Sequence, residues 1–214
     1  MTPAEFILAH TAATSPPACP EMRLHLASEV TPLWEATEAY LEKHNVPPPY
    51  WAFPWVGGQA LARHILDNPE LVAGKSVLDF ASGSGLVGIA AKMAGAAHVL
   101  ATDIDTVALA AIELNAKANG VSIEASDRDV LDDEDCPWDL IVAGDVCYEK
   151  PMAEKTFAWL RHCSAKGAKA LMADPGRAYL PKTGLMRVAK MTVECSLDLE
   201  DKTSRDVEIY QIVG

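Results

Sequence analysis

Between residues 76 and 213 short apolar runs alternate with segments of helical period. The runs Ser76–Phe80, His98–Thr102, Ser122–Ala125, Leu140–Ala143 and Ala168–Ala173 are continuous enough to read as buried strands. Between them, Leu86–Ala94, Val107–Ala118 and about Met152 to His162 read as helices, the second stopped at Asn119-Gly120. A final helix is expected after Pro181, then Thr192–Leu199 and Asp206–Val213 as two half-buried strands. This order predicts an α/β, doubly wound fold with a mostly parallel seven-stranded sheet. Upstream, Ala4–Thr14 reads as a short helix, and Thr31-Pro32 opens another that runs to about His44. The stretch Val46–Trp55 is rich in proline and aromatic residues and predicts a stiff extended segment; Gly57–Leu66 then reads as a helix. The expected organisation is an N-terminal helical extension, residues 1–46, packed on a core domain of residues 47–214.

The most informative stretch within this pattern is Val77 to Gly88. An apolar strand ends in Asp79-Phe80, enters the loop Ala81-Ser82-Gly83-Ser84-Gly85, and opens an Ala-rich helix. That is a nucleotide-binding turn. Gly83 and Gly85 let the backbone turn sharply, and Gly88 lets the helix pack closely on the strand. Glycine spacing alone also suits a nicotinamide dinucleotide, and Asp103, twenty residues after Gly83, fits a ribose in either case. Asp79 tilts the choice. A carboxylate beside the loop repels a pyrophosphate but attracts the ammonium and sulfonium of S-adenosylmethionine. Asp105 is expected to cap the following helix. Asp129 and Val130, after the third strand, are placed to meet an adenine, the plain alternative for Asp129 being a solvated loop acid.

A second stretch, Trp138 to Tyr148, delivers Asp145 and Tyr148 from a buried strand to the carboxyl edge of the sheet. Their three-residue spacing lets both face one pocket, Asp145 orienting an amine and Tyr148 offering a hydroxyl or a ring face to a methylated nitrogen. The two prolines of the Asn/Asp-Pro-Pro-aromatic signature of adenine and glutamine N-methylation are missing here. Cys147 has no histidine motif to support it as a nucleophile. The aromatic run Tyr50–Trp55 is either core packing or a set of rings held for a ligand. Asp174-Pro175-Gly176-Arg177 reads as a tight turn.

Composition narrows the partners. The chain has 214 residues and a formal charge of −12, which argues against a nucleic-acid backbone and is compatible with a cationic substrate. No apolar run reaches membrane-spanning length, and residues 1–22 lack the basic start of a targeting segment, so a cytoplasmic location is expected. Five scattered cysteines without C-x-x-C, and histidines without a ligand pair, give no expectation of a disulfide framework or a metal.

Taken together, these motifs resemble the seven-strand, class I (Rossmann-like) S-adenosylmethionine-dependent protein-lysine methyltransferases. The resemblance narrows to the group that acts on the electron transfer flavoprotein β subunit. It is carried by Pro48–Ala52, Trp55–Arg63, Asp79–Gly88, Asp145-x-x-Tyr148 and Asp174–Arg177. It implies Asp145 and Tyr148 as active-site residues and Trp55, Asp79, Ser82, Gly83 and Gly85 around the methionine moiety. It implies Asp103 and Ile104 at the ribose, Asp129 and Val130 at the adenine, and Gly144 as a further cofactor neighbour. Ala81 departs from the commoner loop, which has glycine there. Three other functions stay open at this point: a small-molecule amine N-methyltransferase, an NAD(P)-dependent oxidoreductase, and a non-catalytic binding module.

Overall fold

The computed structural model describes residues 1–27 and 48–213. Seven strands form one sheet: β3 (Ser76–Phe80), β4 (His98–Thr102), β5 (Glu124–Ser126), β6 (Leu140–Gly144), β7 (Lys169–Asp174), β8 (Leu185–Glu194) and β9 (Ser204–Ile212). Their spatial order is β5-β4-β3-β6-β7-β9-β8. The first five are parallel, while β9 runs antiparallel to both β7 and β8. The chain order reverses between β3 and β6, and Phe80 lies opposite Ala143 there, so the two strands end side by side. A doubly wound sheet opens its ligand crevice at such a point.

Helices cover both faces: α2 (Val56–Asp67), α3 (Leu86–Met93), α4 (Thr106–Ala118) and α5 (Lys150–Ala165). One apolar layer joins Val56, Leu61 and Ile65 of α2 to Val77, Leu171 and Ile209 of the sheet. The opposite layer joins Leu78, Ile141 and Met172 to Trp159 and Leu160 of α5. Burial on both faces explains why the central strands carry few polar residues.

The N-terminal segment packs against this body. Helix α1 (Pro3–His10) starts with a capping box between Thr2 and Glu5 and seats Phe6 and Ile7 against Val107 and Ala111 of α4. Full burial of a side chain such as Ile7 is worth about 2 kcal/mol. Strands β1 (Ala12–Thr14) and β2 (Leu24–Leu26) then form a hairpin, where a helix through Thr14 was expected. The Thr11 hydroxyl donates to the Ile7 carbonyl at 2.6 Å and ends the helix, freeing the next residues to pair. Buried Gln59 fixes both neighbouring segments, accepting from Ala18 N at 3.0 Å and donating to the Pro54 carbonyl at 2.7 Å.

Three more expectations change. The helix after Pro181 is absent: residues 185–194 form the edge strand β8, and only the short α6 (Leu197–Glu200) follows. Ala189, Met191 and Val193 alternate inward after a bulge, and pairing with β9 overrides their helix propensity. Tyr50–Ala52 makes a single 3-10 turn in a stretch read as extended. Finally, Cys136 and Cys163 are joined by a disulfide, a long-range pairing with no local sequence pattern to reveal it. The helix expected from Thr31 to His44 lies outside the described residues.

Candidate active site

A cavity of about 610 Å³ opens over the carboxyl ends of β3, β4 and β6. Its walls separate into two sides.

On one side the end of β3 supplies Asp79, and the loop after it supplies Ala81, Ser82 and Gly83. Asp79 is fully buried, and its Oδ2 accepts from Gly88 N at 2.7 Å, tying the strand end to the first turn of α3. Burial pushes its carboxyl up to about 7, against the Gly88 N–H, with the Asp103 charge adding to the rise. A Cβ on Gly88 would come within 3.0 Å of that oxygen and 3.2 Å of Val99 Cγ1, so glycine is required for the close approach. Asp103 accepts from Gly83 N at 2.8 Å and from Asp105 N at 3.0 Å. Burial raises its carboxyl too, opposed by those two N–H groups. Asp105 caps α4 through Val107 N at 2.8 Å, as its position predicts. Ser82 Oγ and Thr102 Oγ1 line the same wall and have no hydrogen-bond partner among the described residues. Two carboxylates, buried Asp79 and half-buried Asp103, that have no ion-pair partner among the described residues suit a ligand that is cationic at one end and hydroxyl-rich at the other.

On the other side stand Asp145, Tyr148, Tyr50, Trp55 and Arg177. Asp145 adopts φ 57°, a left-handed conformation that is costly for a residue with a Cβ and typical of functional loops. One carboxylate oxygen takes a short hydrogen bond from Gly57 N in the first turn of α2; the other accepts from Arg177 Nε at 2.8 Å. Burial pushes the Asp145 carboxyl up to about 6, opposed by the Arg177 charge and the Gly57 N–H. The contact with α2 depends on absent side chains. A Cβ on Gly57 would sit 2.6 Å from Asp145 Oδ2, and one on Gly144 would sit 2.8 Å from Gly58 Cα. The Tyr148 and Tyr50 rings lie 5.4 Å apart at the mouth. Burial and the neighbouring Tyr50 push the Tyr148 hydroxyl up to about 12, so it stays protonated at neutral pH.

Of the residues singled out in the sequence, Trp55, Asp79, Ser82, Gly83, Asp103, Ile104, Asp129, Gly144, Asp145 and Tyr148 all line this cavity. Val130 does not: it is buried in the core beside Phe80, and Leu131 holds the wall position instead. Gly85 sits behind the wall at φ 78°, where a Cβ would meet Ile112 at 3.2 Å. Sequence reasoning missed Arg177 and Tyr50 as individual site residues. Asp174 does form the expected turn, accepting from Gly176 N and Arg177 N at 2.6 Å each, and the product of that turn is the presentation of Arg177 to Asp145.

A seven-strand sheet of this order, with an acid and a glycine turn after its first parallel strand, defines a class I S-adenosylmethionine-dependent methyltransferase. Solved structures agree on the fold. A ribosomal protein L11 methylase from Lactobacillus delbrueckii subsp. bulgaricus matches with TM-score 0.53 at 24% identity, over 76% of this chain and 81% of that one. Magnesium protoporphyrin IX methyltransferase from Synechocystis, solved with bound S-adenosylmethionine, gives 0.53 at 19%, over 72% and 77%. The family model for ribosomal protein L11 methyltransferase (PrmA) matches residues 60–146, the part that holds the glycine turn. Resemblance over most of the chain points more narrowly. The electron transfer flavoprotein beta subunit lysine methyltransferase of Xenopus laevis is 41% identical over 200 residues, covering 91% of this chain and 79% of the relative. The Homo sapiens protein of that name is 41% identical, covering 83% and 68%. The chain belongs to the electron transfer flavoprotein beta subunit lysine methyltransferase family.

Proposed function

We propose that this enzyme transfers methyl groups from S-adenosylmethionine to lysine side chains of the electron transfer flavoprotein β subunit. The observation that carries the reading is the shared cavity. Asp79 at the end of β3 and Asp145 just after β6 face it from opposite sides of the strand-order reversal. The names of the relatives that match over most of this chain supply the substrate.

The donor's cationic end is assigned to Asp79, its ribose to Asp103 and its adenine to the wall of Asp129 and Leu131, with Ser82, Gly83, Ile104, Gly144 and Trp55 around it. Bound there, S-adenosylmethionine would supply a methyl carbon open to attack by an amine lone pair, the N–C bond forming as the S–C bond breaks and the sulfur leaves as a neutral thioether. The chain's contribution is positioning. Asp145 accepts a hydrogen bond from the acceptor amine and so turns the nitrogen lone pair toward the methyl carbon. Tyr148 and Tyr50 flank the side chain, and their ring faces favour a methylated ammonium. A lysine enters with a pKa of about 10.4 and must shed its proton to react, which desolvation among these rings promotes.

Intact-mass measurement of electron transfer flavoprotein incubated with the enzyme and S-adenosylmethionine tests the reading. Methyl masses are expected on the β subunit and on no other chain. An unmodified β subunit, with S-adenosylhomocysteine binding intact, would transfer the reading to another amine.

A further inference from the structure

Arg177 makes more connections than a turn residue needs. Its Nε donates to Asp145 at 2.8 Å, while Nη1 and Nη2 donate to Glu200 at 3.0 and 2.6 Å. Its guanidinium also lies 5.9 Å from the centre of the Trp55 ring. Glu200 is almost fully buried and takes a second cation, Arg205 of β9, at 3.2 Å. Three separate segments therefore meet around Glu200, the loop after β7, the short helix α6 and strand β9, and Arg177 alone carries that cluster on to Asp145. Only a guanidinium has the planar fork to grip one carboxylate through both Nη atoms while its Nε reaches another.

The chemistry gives this cluster a purpose. A lone carboxylate beside a lysine stabilises the ammonium and so raises its pKa, the wrong direction for a nucleophile. A carboxylate already paired with a cation can still accept a hydrogen bond, but its pull on a second positive charge is largely cancelled.

We infer that Arg177 is a positioning residue for methyl transfer: it fixes the Asp145 carboxylate and offsets its charge, so that the acceptor lysine is oriented without being held as an ammonium. The inference rests on the methyl-transfer reading and assigns Arg177 a part in it that neither Asp145 nor Tyr148 fills. Burial opposes the Arg177 charge, but Asp145 and Glu200 outweigh it and raise its pKa, so the cation persists across the working range. The other groups that face Asp145 are Asp174 at the end of β7 and the Cys147 thiol. Asp174 opposes ionisation of Asp145, and burial pushes Cys147 up to about 12, so that it stays neutral. Among the titratable groups at Asp145, Arg177 is the one that favours its anion.

The test compares wild type, Arg177→Gln, Arg177→Lys and Glu200→Gln in two readouts. The first is the Asp145 carboxyl titration, followed by carbon-13 NMR in the S-adenosylhomocysteine complex and assigned by its loss in Asp145→Asn. The second is the pH profile of single-turnover transfer to the flavoprotein. In Arg177→Gln the titration midpoint is expected to rise by about one pH unit or more. The acid limb of transfer should move with it, a loss of about fivefold at pH 6 for a one-unit rise. Arg177→Lys should return most of that shift. Glu200→Gln leaves Arg177 on Asp145 with less competition and should move the midpoint down, which keeps the question answerable if Arg177→Gln does not fold. Midpoint and profile that stay in place while thermal stability falls would reduce Arg177 to a clamp for α6 and overturn the inference. A wild type that does not methylate the flavoprotein sinks the substrate reading instead, and the carboxyl titration still decides whether Arg177 governs Asp145.

Discussion

The two sides of the cavity are built differently. The donor side is local: Asp79, Ser82 and Gly83 come from one strand end and the loop that follows it, and Asp103 lies twenty residues beyond Gly83. The Asp79 and Asp103 carboxylates are held by backbone N–H groups. The acceptor side is assembled at long range, where Asp145 meets Gly57 from 88 residues upstream and Arg177 from 32 downstream. Its buried carboxylate is paired with a half-buried cation. A side that binds a cationic ligand does best without a resident cation. A side that must deprotonate its ligand does best with one.

The largest consequence falls on Asp145. Asp145→Asn should lower single-turnover transfer by roughly two to three orders of magnitude, the scale of losing one preorganised polar group. S-adenosylhomocysteine affinity, set on the other side, should stay within about threefold. Stopped-reaction mass spectrometry and calorimetry read the two. A joint loss of both would mean that the cavity acts as one unit.

Glycine substitutions divide the sides in another way. Gly57→Ala drives a Cβ to 2.6 Å from Asp145 Oδ2 and 2.7 Å from the Ala173 carbonyl, both held in place. A stability loss of about 3 kcal/mol is expected from the overpacking, together with transfer reduced as far as in Asp145→Asn. At Gly58 the added Cβ meets only Leu86 Cδ2 at 3.8 Å, so Gly58→Ala should gain about 0.5–1 kcal/mol of helix propensity. Urea unfolding of the pair checks the sign of each. Equal effects would show that the α2 terminus tolerates either change.

What the sequence disclosed follows the same division. The donor loop is legible because its chemistry is contiguous: Asp79, Gly83 and Asp103 act within one strand-turn-helix unit, and hydrophobic periodicity already places that unit. Asp145 and Tyr148 are legible because a strand end aims them. Arg177 is not, since its partners Asp145 and Glu200 become neighbours only when β7 and β9 pair. Val130 misleads for a related reason. Its position after β5 is right, but one residue of register decides between core and wall, and Leu131 takes the wall. The helix expected after Pro181 fails because Leu185 to Val193 contains good helix formers whose pairing with β9 decides the matter.

The donor side should also declare itself in protons. Burial holds the Asp79 carboxyl at about 7 in the free protein. A ligand cation beside it lowers that value, so binding favours the ionised form and releases a proton near neutrality. Affinity for S-adenosylhomocysteine, whose ammonium remains, should therefore rise as pH climbs toward 7 and level off above it. The span between pH 6 and pH 8 is expected to be up to about tenfold. Calorimetry in two buffers of different ionisation enthalpy measures the released proton, and Asp79→Asn should abolish it. A flat profile in the native chain would place the ligand's cationic end elsewhere.

The smallest expected effect concerns Ala81, the position where the commoner loop has glycine. Its φ is 51°, so the alanine sits in the left-handed region at a cost of about 1 kcal/mol. Ala81→Gly removes that strain but gives the unfolded chain more freedom, a loss of about 0.4–1 kcal/mol. The two nearly cancel, and stability should change by less than about 0.5 kcal/mol, with S-adenosylhomocysteine affinity unaltered. The near-cancellation explains why an alanine is tolerated here but not at Gly85. There a Cβ would add a 3.2 Å contact with Ile112 to the same backbone strain, and nothing in the unfolded state offsets the contact. Gain of more than about 1 kcal/mol in Ala81→Gly, read by urea unfolding, would mean that this loop stores strain beyond what its backbone angle accounts for.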